Sequence, residues 1–282
     1  MRILVLGSTG MLGHMVLRVL SKKETFEVEG TQSEEPNAPY YFNAEDGVKE
    51  KFNKYDYLIN CIGILSNAID ACDSISVARA IKINALFPHK LAKITKGRII
   101  HMSTDGVFSG KEGSYNEDSP HDCTDVYGKT KSLGEIDAPN VLNIRTSIIG
   151  PSPYKKKGLL ECFLSQPDGT TVQGFTNHIW NGVTTLQFAQ LCAAIIAHGV
   201  FDTLRQESHV FHFAPNEPVT KYELLQMFKE IFHKNVEVRP IEDCRGSIQR
   251  VLTTKYKGLK KLFPYGGTLE KATQQLKDSI YV

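Results

Sequence analysis

A short apolar run ending in a glycine turn limits the fold more than any other feature of this chain. Ile3-Leu4-Val5-Leu6 is apolar at every position, as a strand covered on both faces of a parallel sheet must be. Gly7, Ser8, Thr9, Gly10, Met11, Leu12 and Gly13 follow at once, and residues 11–20 continue with apolar side chains at helical spacing. Strand, glycine turn and helix in that order present free backbone N–H groups and a positive dipole end to an anion such as a pyrophosphate. The spacing is G-x-x-G-x-x-G, a variant of the commoner G-x-G-x-x-G dinucleotide fingerprint.

The alternation continues. Strand signals recur at 26–31, 57–62, 98–103 and 141–145, and a long helix at 76–95 is expected to bend at Pro88, which cannot donate a backbone hydrogen bond. Residues 33–39 are polar and broken by prolines, hence a loop. The pattern implies an α/β protein with a doubly wound, Rossmann-like parallel sheet. After Gly150 the texture changes to a basic loop at 155–157, helical patterns at 158–165, 185–197 and 221–232, and short strands at 171–173 and 209–213. We expect a dinucleotide-binding domain over 1–150. Residues 151–282 should form mainly a smaller C-terminal substrate-binding lobe, free to interleave with the first, at the sheet edge where such folds bind ligands.

Charge excludes some partners. Thirty-three Lys and Arg against 31 Asp and Glu leave a net charge of +2, which gives no reason to expect nucleic acid or a membrane surface. No apolar run approaches the roughly 18 residues of a membrane span, and the amino-terminal residues lack a signal-peptide pattern, so a cytoplasmic enzyme is expected. The six cysteines show no CxxC spacing, which suggests reduced thiols and no metal site. Glu242 and Asp243 make no metal constellation.

Tyr127 and Lys131 stand four apart and share a helix face if Asp125 caps that helix. A nearby ammonium should favour the phenolate and lower the tyrosine pKa. Ser103-Thr104-Asp105 falls at the end of the fourth strand, where the Thr104 hydroxyl is placed to hydrogen-bond a substrate carbonyl. The second strand ends at Thr31-Gln32-Ser33 without the acid that usually receives a ribose 2′-OH. Hydroxyls at Thr31 and Ser33 suit a 2′-phosphate, so NADP(H) is favoured over NAD(H). The Lys155–Lys157 run reads as a solvated loop and His101 as structural.

The segments GSTGMLG (7–13), NCIG (60–63), INALFPHKLA (83–92), STDGVFSG (103–110), YGKTK (127–131) and RTSIIGP (145–151) together resemble the extended short-chain dehydrogenase/reductase superfamily, and within it the dTDP-4-dehydrorhamnose reductase family. The resemblance covers about the first half. NHIWNGVTT (177–185) and VFHFAPNEPVTKYELL (210–225) match more loosely. It implies NADPH-dependent reduction of a keto group on a nucleotide-activated deoxyhexose, for surface polysaccharide synthesis. Tyr127 would be the proton donor, Lys131 its partner and Thr104 the carbonyl hydrogen-bonder. The resemblance also assigns the glycine turn, Asn60, Cys61, Gly63, Asn84, Tyr127, Lys131 and Arg145 to the cofactor, and Asp105, Ser147, Asn177 and Trp180 to the nucleotide sugar. Two positions depart: Gly106 stands where the family often has an aromatic, and Cys244-Arg245-Gly246-Ser247 replaces an Asp-Arg-Ser-type motif. A nucleotide-sugar epimerase and a non-catalytic NADP-binding regulatory subunit, as in methionine adenosyltransferase, are the alternatives. Oligomeric state is left open, a homodimer being one option.

Overall fold

The computed structural model describes residues 1–35, 37, 40–48, 50–154 and 156–281. Its first half lays down β1 (Arg2–Leu6), α1 (Gly13–Leu20), β2 (Glu27–Gly30), β3 (Tyr57–Asn60), α2 (Ser74–Ala80), α3 (Phe87–Ile94), β4 (Arg98–Thr104), α4 (Val126–Leu133) and β5 (Val141–Thr146). The second half adds β6 (Ile148–Ile149), α5 (Leu159–Leu164), β7 (Thr171–Phe175), β8 (His178–Trp180), β9 (Val183–Thr184), α6 (Thr185–Ala197), α7 (Phe201–Glu207) and β10 (Val210–His212). It closes with β11 (Val219–Thr220), α8 (Lys221–Phe232), β12 (Glu237–Ile241), β13 (Ile248–Arg250), α9 (Gly258–Leu262) and α10 (Leu269–Tyr281).

Six strands form one parallel sheet in the order β10-β5-β4-β3-β1-β2. Side chains of β1 alternate between its faces. Ile3 and Val5 join Met15 and Val16 of α1 and Phe188, Leu191 and Cys192 of α6 in one cluster. Leu4 and Leu6 join Phe42, Phe52, Phe87 and Leu91 in the other. Both faces are therefore covered, and β3 and β5 are buried at every position, which is the doubly wound architecture expected.

β10 extends the large sheet beside β5, and α6 packs on α1, so part of the chain after residue 150 belongs to the layers of the large sheet. One expectation needs correction. The long helix does not bend simply at Pro88. Between α2 and α3, residues Ile81–Leu86 are π-helical. Pro88 has no N–H for the Asn84 carbonyl, and the wider turn accommodates that loss.

Three small sheets complete the described strands: β11-β8-β13, β12-β7 and β6-β9. The first is tied to the loop after β4 by Gln249 N donating to the Gly110 carbonyl (2.7 Å) and Tyr115 N donating to the Val251 carbonyl (2.9 Å). Among the described residues no helix is long and apolar enough to cross a membrane.

Helix α1 meets β1 without room for a side chain between them: a Cβ on Gly13 would lie 2.1 Å from the Gly7 carbonyl oxygen. Replacing Gly13 with Ala forces the turn open. We expect a loss of about 1–3 kcal/mol of stability in denaturant titration, together with weakened nucleotide binding.

Candidate active site

The glycine turn is held from β2. Gly7, at φ +77°, donates its N–H to Thr31 Oγ1 (3.0 Å), and Ser8 Oγ donates to the Thr31 carbonyl (2.9 Å). Thr31 is buried, so its hydroxyl positions the turn instead of facing a ligand; Ser33 is exposed. Among the described residues the amides of Met11 and Leu12 have no backbone acceptor. They open onto a groove of about 510 Å³ that Gly10, Cys61, Gly63, Thr104, Tyr127, Lys131 and Ser147 also line. A pyrophosphate-bearing dinucleotide fits this set: free donors, a helix N-terminus and no side chain at the closest approach.

Helix α4 brings the Tyr–Lys pair to the same groove. Asp125 caps it as expected, accepting from Gly128 N (2.9 Å). Two glycines seat its ends. A Cβ on Gly128 would lie 2.4 Å from the Gly106 carbonyl oxygen, and one on Gly134 would lie 2.0 Å from that of Asn84. The Thr104 hydroxyl accepts from Gly106 N (3.0 Å) and donates to Asp105 Oδ1 (3.2 Å). A Cβ on Gly106 would itself lie 3.0 Å from the Tyr127 ring, so the tyrosine packs over this glycine.

The electrostatics differ from the simple pairing expected. Burial raises the Tyr127 pKa to about 12, and the Thr104 hydrogen bond only partly opposes it; Asp105, Asp125 and Arg250 are the charges that act on the phenol. Lys131 is not among them. Its ammonium donates to the Met102 carbonyl (2.7 Å), and burial lowers its pKa to about 8. The tyrosine therefore stays in its acid form at neutral pH, the form a proton donor needs.

Several assigned residues act behind the groove. Asn60 donates to His101 Nδ1 (3.0 Å) and accepts from Ile62 N (3.2 Å). Burial, with Lys131 and His89 adding to it, holds the His101 pKa well below its ordinary value and keeps the ring neutral. Asn84, projecting from the π-helical turn, exchanges two bonds with the Ile64 backbone (2.8 and 3.0 Å) and donates to Thr130 Oγ1 (3.2 Å). Arg145, expected beside the cofactor, is buried away from the groove lining. It binds both Glu135 oxygens (2.7 Å each) and donates to His212 Nε2 (3.2 Å). Ser103 joins the same carboxylate (2.5 Å). Asn177 fastens the loop at Asp243, accepting from its N–H (2.9 Å) and donating to its carbonyl (3.0 Å). The departing motif follows: Arg245 pairs with Asp243 and its side chain is 81% exposed. Asp105 is buried, and burial raises its carboxyl pKa against the pull of Arg250 and Lys221. Trp180 is buried beneath Lys221.

Sequence reasoning missed Arg79 and Lys157 at the groove, and Lys221 and Arg250 near Asp105. Lone cations such as these have no spacing signal. Lys155 lies outside the described residues.

These features are those of the extended short-chain dehydrogenase/reductase superfamily. The chain belongs to the family described as RmlD substrate binding domain, which matches residues 1–250, and so sits with the dTDP-4-dehydrorhamnose reductases of that superfamily. It is 33% identical over 141 residues to the spore coat polysaccharide biosynthesis protein SpsK of Bacillus subtilis, spanning 48% of this chain and about half, 47%, of that protein. It is 24% identical over 259 residues to methionine adenosyltransferase 2 subunit beta of Xenopus tropicalis, across 86% of this chain and 75% of that one. A crystal structure of dTDP-4-dehydrorhamnose reductase from Bacillus anthracis in complex with NADP shares the fold, with TM-score 0.76, 13% identity and 99% of both chains covered.

Lys131 yields a pH prediction. Its folded pKa, about 8, lies below its reference value of 10.5, so the unfolded chain binds more protons between those values. Stability should therefore rise with pH across that window. Lys131→Met lacks this contribution. The stability difference between parent and variant should shift toward the parent by roughly 3 kcal/mol from pH 7.5 to 10.5, as read from denaturant melts.

Proposed function

We propose that this protein reduces a keto group on a nucleotide-activated deoxyhexose, with NADPH as hydride donor, in the synthesis of a surface polysaccharide. The observation that supports it most is the convergence of Thr104, Tyr127 and Lys131 on the groove that also receives the free amides of Met11 and Leu12. NADPH, when bound, supplies the hydride. Met11, Leu12 and the glycine turn hold its pyrophosphate, and Lys131 is placed to meet its ribose. Thr104 holds the substrate carbonyl, and the neutral Tyr127 hydroxyl gives its proton to the oxygen as charge develops there. Ser147 lines the same groove and is available to the sugar.

Preference for NADPH rests on the missing acid after β2. Gln32 instead accepts from the amides of Glu34 and Glu35 (2.6 and 2.9 Å), which orders the turn. The NADP in the Bacillus anthracis neighbour agrees with this choice.

NADPH oxidation should follow addition of dTDP-4-keto-6-deoxy-mannose or a related keto sugar. Tyr127→Phe should lower kcat by about 10² to 10⁴-fold with NADPH binding retained; undiminished turnover would remove Tyr127 from the mechanism. Titration should show tighter binding of NADPH than of NADH, and the reverse order would overturn the cofactor choice. Sugar conversion without added NADPH would indicate an epimerase.

A second reading is supported by the frog relative, whose match spans more of the chain than that of SpsK. In it the protein binds NADP and serves as a regulatory subunit. A single stoichiometric partner together with no turnover on any keto sugar would favour it.

A further inference from the structure

The groove beside the free amides of Met11 and Leu12 carries more positive charge than the chemistry uses. Its described lining holds three cations, Arg79, Lys131 and Lys157, and no carboxylate, in a chain whose net charge is only +2. Lys131 is placed for a ribose. Lys157 belongs with the pyrophosphate amides, since a Cβ on the adjacent Gly158 would lie 3.2 Å from Met11 Sδ. Arg79 is left without a ligand group.

Arg79 is held on the β2 side of the groove. Its Nε donates to Glu45 Oε1 (2.7 Å). Glu45 N donates to Asn43 Oδ1 (3.0 Å), and Phe42 N donates to the Gln32 carbonyl (2.9 Å). Gln32 stands one residue past Thr31, whose hydroxyl and carbonyl fasten the glycine turn. Short bonds thus join the arginine to the tip of β2. Among the described residues its two Nη groups have no hydrogen-bond partner, and its side chain is 59% exposed.

In a dinucleotide fold the adenosine ribose meets the tip of the second strand. Here β2 is the edge strand, three places from the β4 that ends at Thr104, roughly 14 Å away at about 4.8 Å per strand. The tip has no cation of its own: residues 31–35 read Thr-Gln-Ser-Glu-Glu. Thr31 is buried in the turn, and Gln32 Oε1 is occupied by the amides of Glu34 and Glu35. A phosphate beside two glutamates is repelled unless a cation reaches it from another segment. A guanidinium offers planar, paired donors matched to phosphate, and the free Nη end of Arg79 supplies them.

We propose that Arg79 receives the adenosine 2′-phosphate of NADP and so sets the choice of NADP over NAD. This rests on NADPH as the hydride donor. NAD has a hydroxyl at that position and gains little from Arg79. Titration of the full chain with NADPH and NADH tests it. Arg79→Met should weaken NADPH binding about 10- to 100-fold and change NADH binding by less than about twofold. Arg79→Lys should restore only part, because a point charge lacks the paired donors. Lys157→Met should weaken both cofactors alike. Equal losses of NADPH and NADH in Arg79→Met overturn the assignment. So does a selective loss of NADPH in Lys157→Met, which would make the charge of the groove at large the cause. Should Arg79→Met not fold, phenylglyoxal modification of Arg79 in the unaltered protein, read by peptide mass, is the second measurement. At matched occupancy adenosine 2′,5′-bisphosphate should block it and 5′-AMP should not, and equal protection overturns the proposal. Tighter binding of NADH than of NADPH by the unaltered protein would sink the cofactor choice itself, whereas a full NADPH preference kept in Arg79→Met sinks the role of Arg79 alone.

Discussion

The catalytic geometry depends on how one short helix is seated. Helix α4 has eight residues and gains little from its own hydrogen bonds. Its position comes from backbone contacts at both ends, where Gly128 abuts the Gly106 carbonyl and Gly134 abuts the Asn84 carbonyl. The first contact sets the distance from Tyr127 to the end of β4, hence to Thr104. The second ties the helix to the π-helical turn that carries Asn84, and Asn84 reaches back to Thr130 on the same helix. Pro88 is part of the device. It cannot donate to the Asn84 carbonyl, the oxygen on which Gly134 rests.

Much of the fold was legible because parallel strands buried on both faces write themselves as continuous apolar runs. Ile3–Leu6 is such a run, and 57–62 and 141–145 are apolar except at Asn60, Asn143 and Arg145. The return of β10 was not legible: three residues, Val210–His212, have the same apolar look in a small lobe as beside β5. Nor was the π-helical turn, since it depends on Pro88 and on a glycine 46 positions beyond Pro88, at 134. In the site, the glycine turn, the strand-end Thr104 and the Tyr–Lys spacing were visible as local text. Arg145 was not interpretable from its neighbours, because its partner Glu135 and its acceptor His212 come from different strand connections.

The network around Arg145 shows why such residues look functional without touching a ligand. Its guanidinium holds Glu135, Glu135 receives Ser103, and Ser103 precedes Thr104. Glu117 on the other side accepts from His212 N and Thr254 Oγ1, which joins the sheet to the C-terminal segment. A buried ion pair of this kind adds little net stability but is costly to break, so it fixes the strand ends on which the groove is built.

Charge placement completes the argument. Had Lys131 faced the phenol, Tyr127 would have been pulled toward phenolate and would be a poor acid for reduction. Burial instead keeps the tyrosine protonated, and the Met102 carbonyl holds the ammonium near where a ribose would lie. Of the charges that act on the same phenol, Arg250 is the cation, set against Asp105 and Asp125. An oxyanion forming at the substrate carbonyl would feel that charge as well as Thr104. A neutral acid beside a strand-end hydroxyl is the arrangement that the proposed reduction needs, the acid giving its proton as charge develops on the carbonyl oxygen.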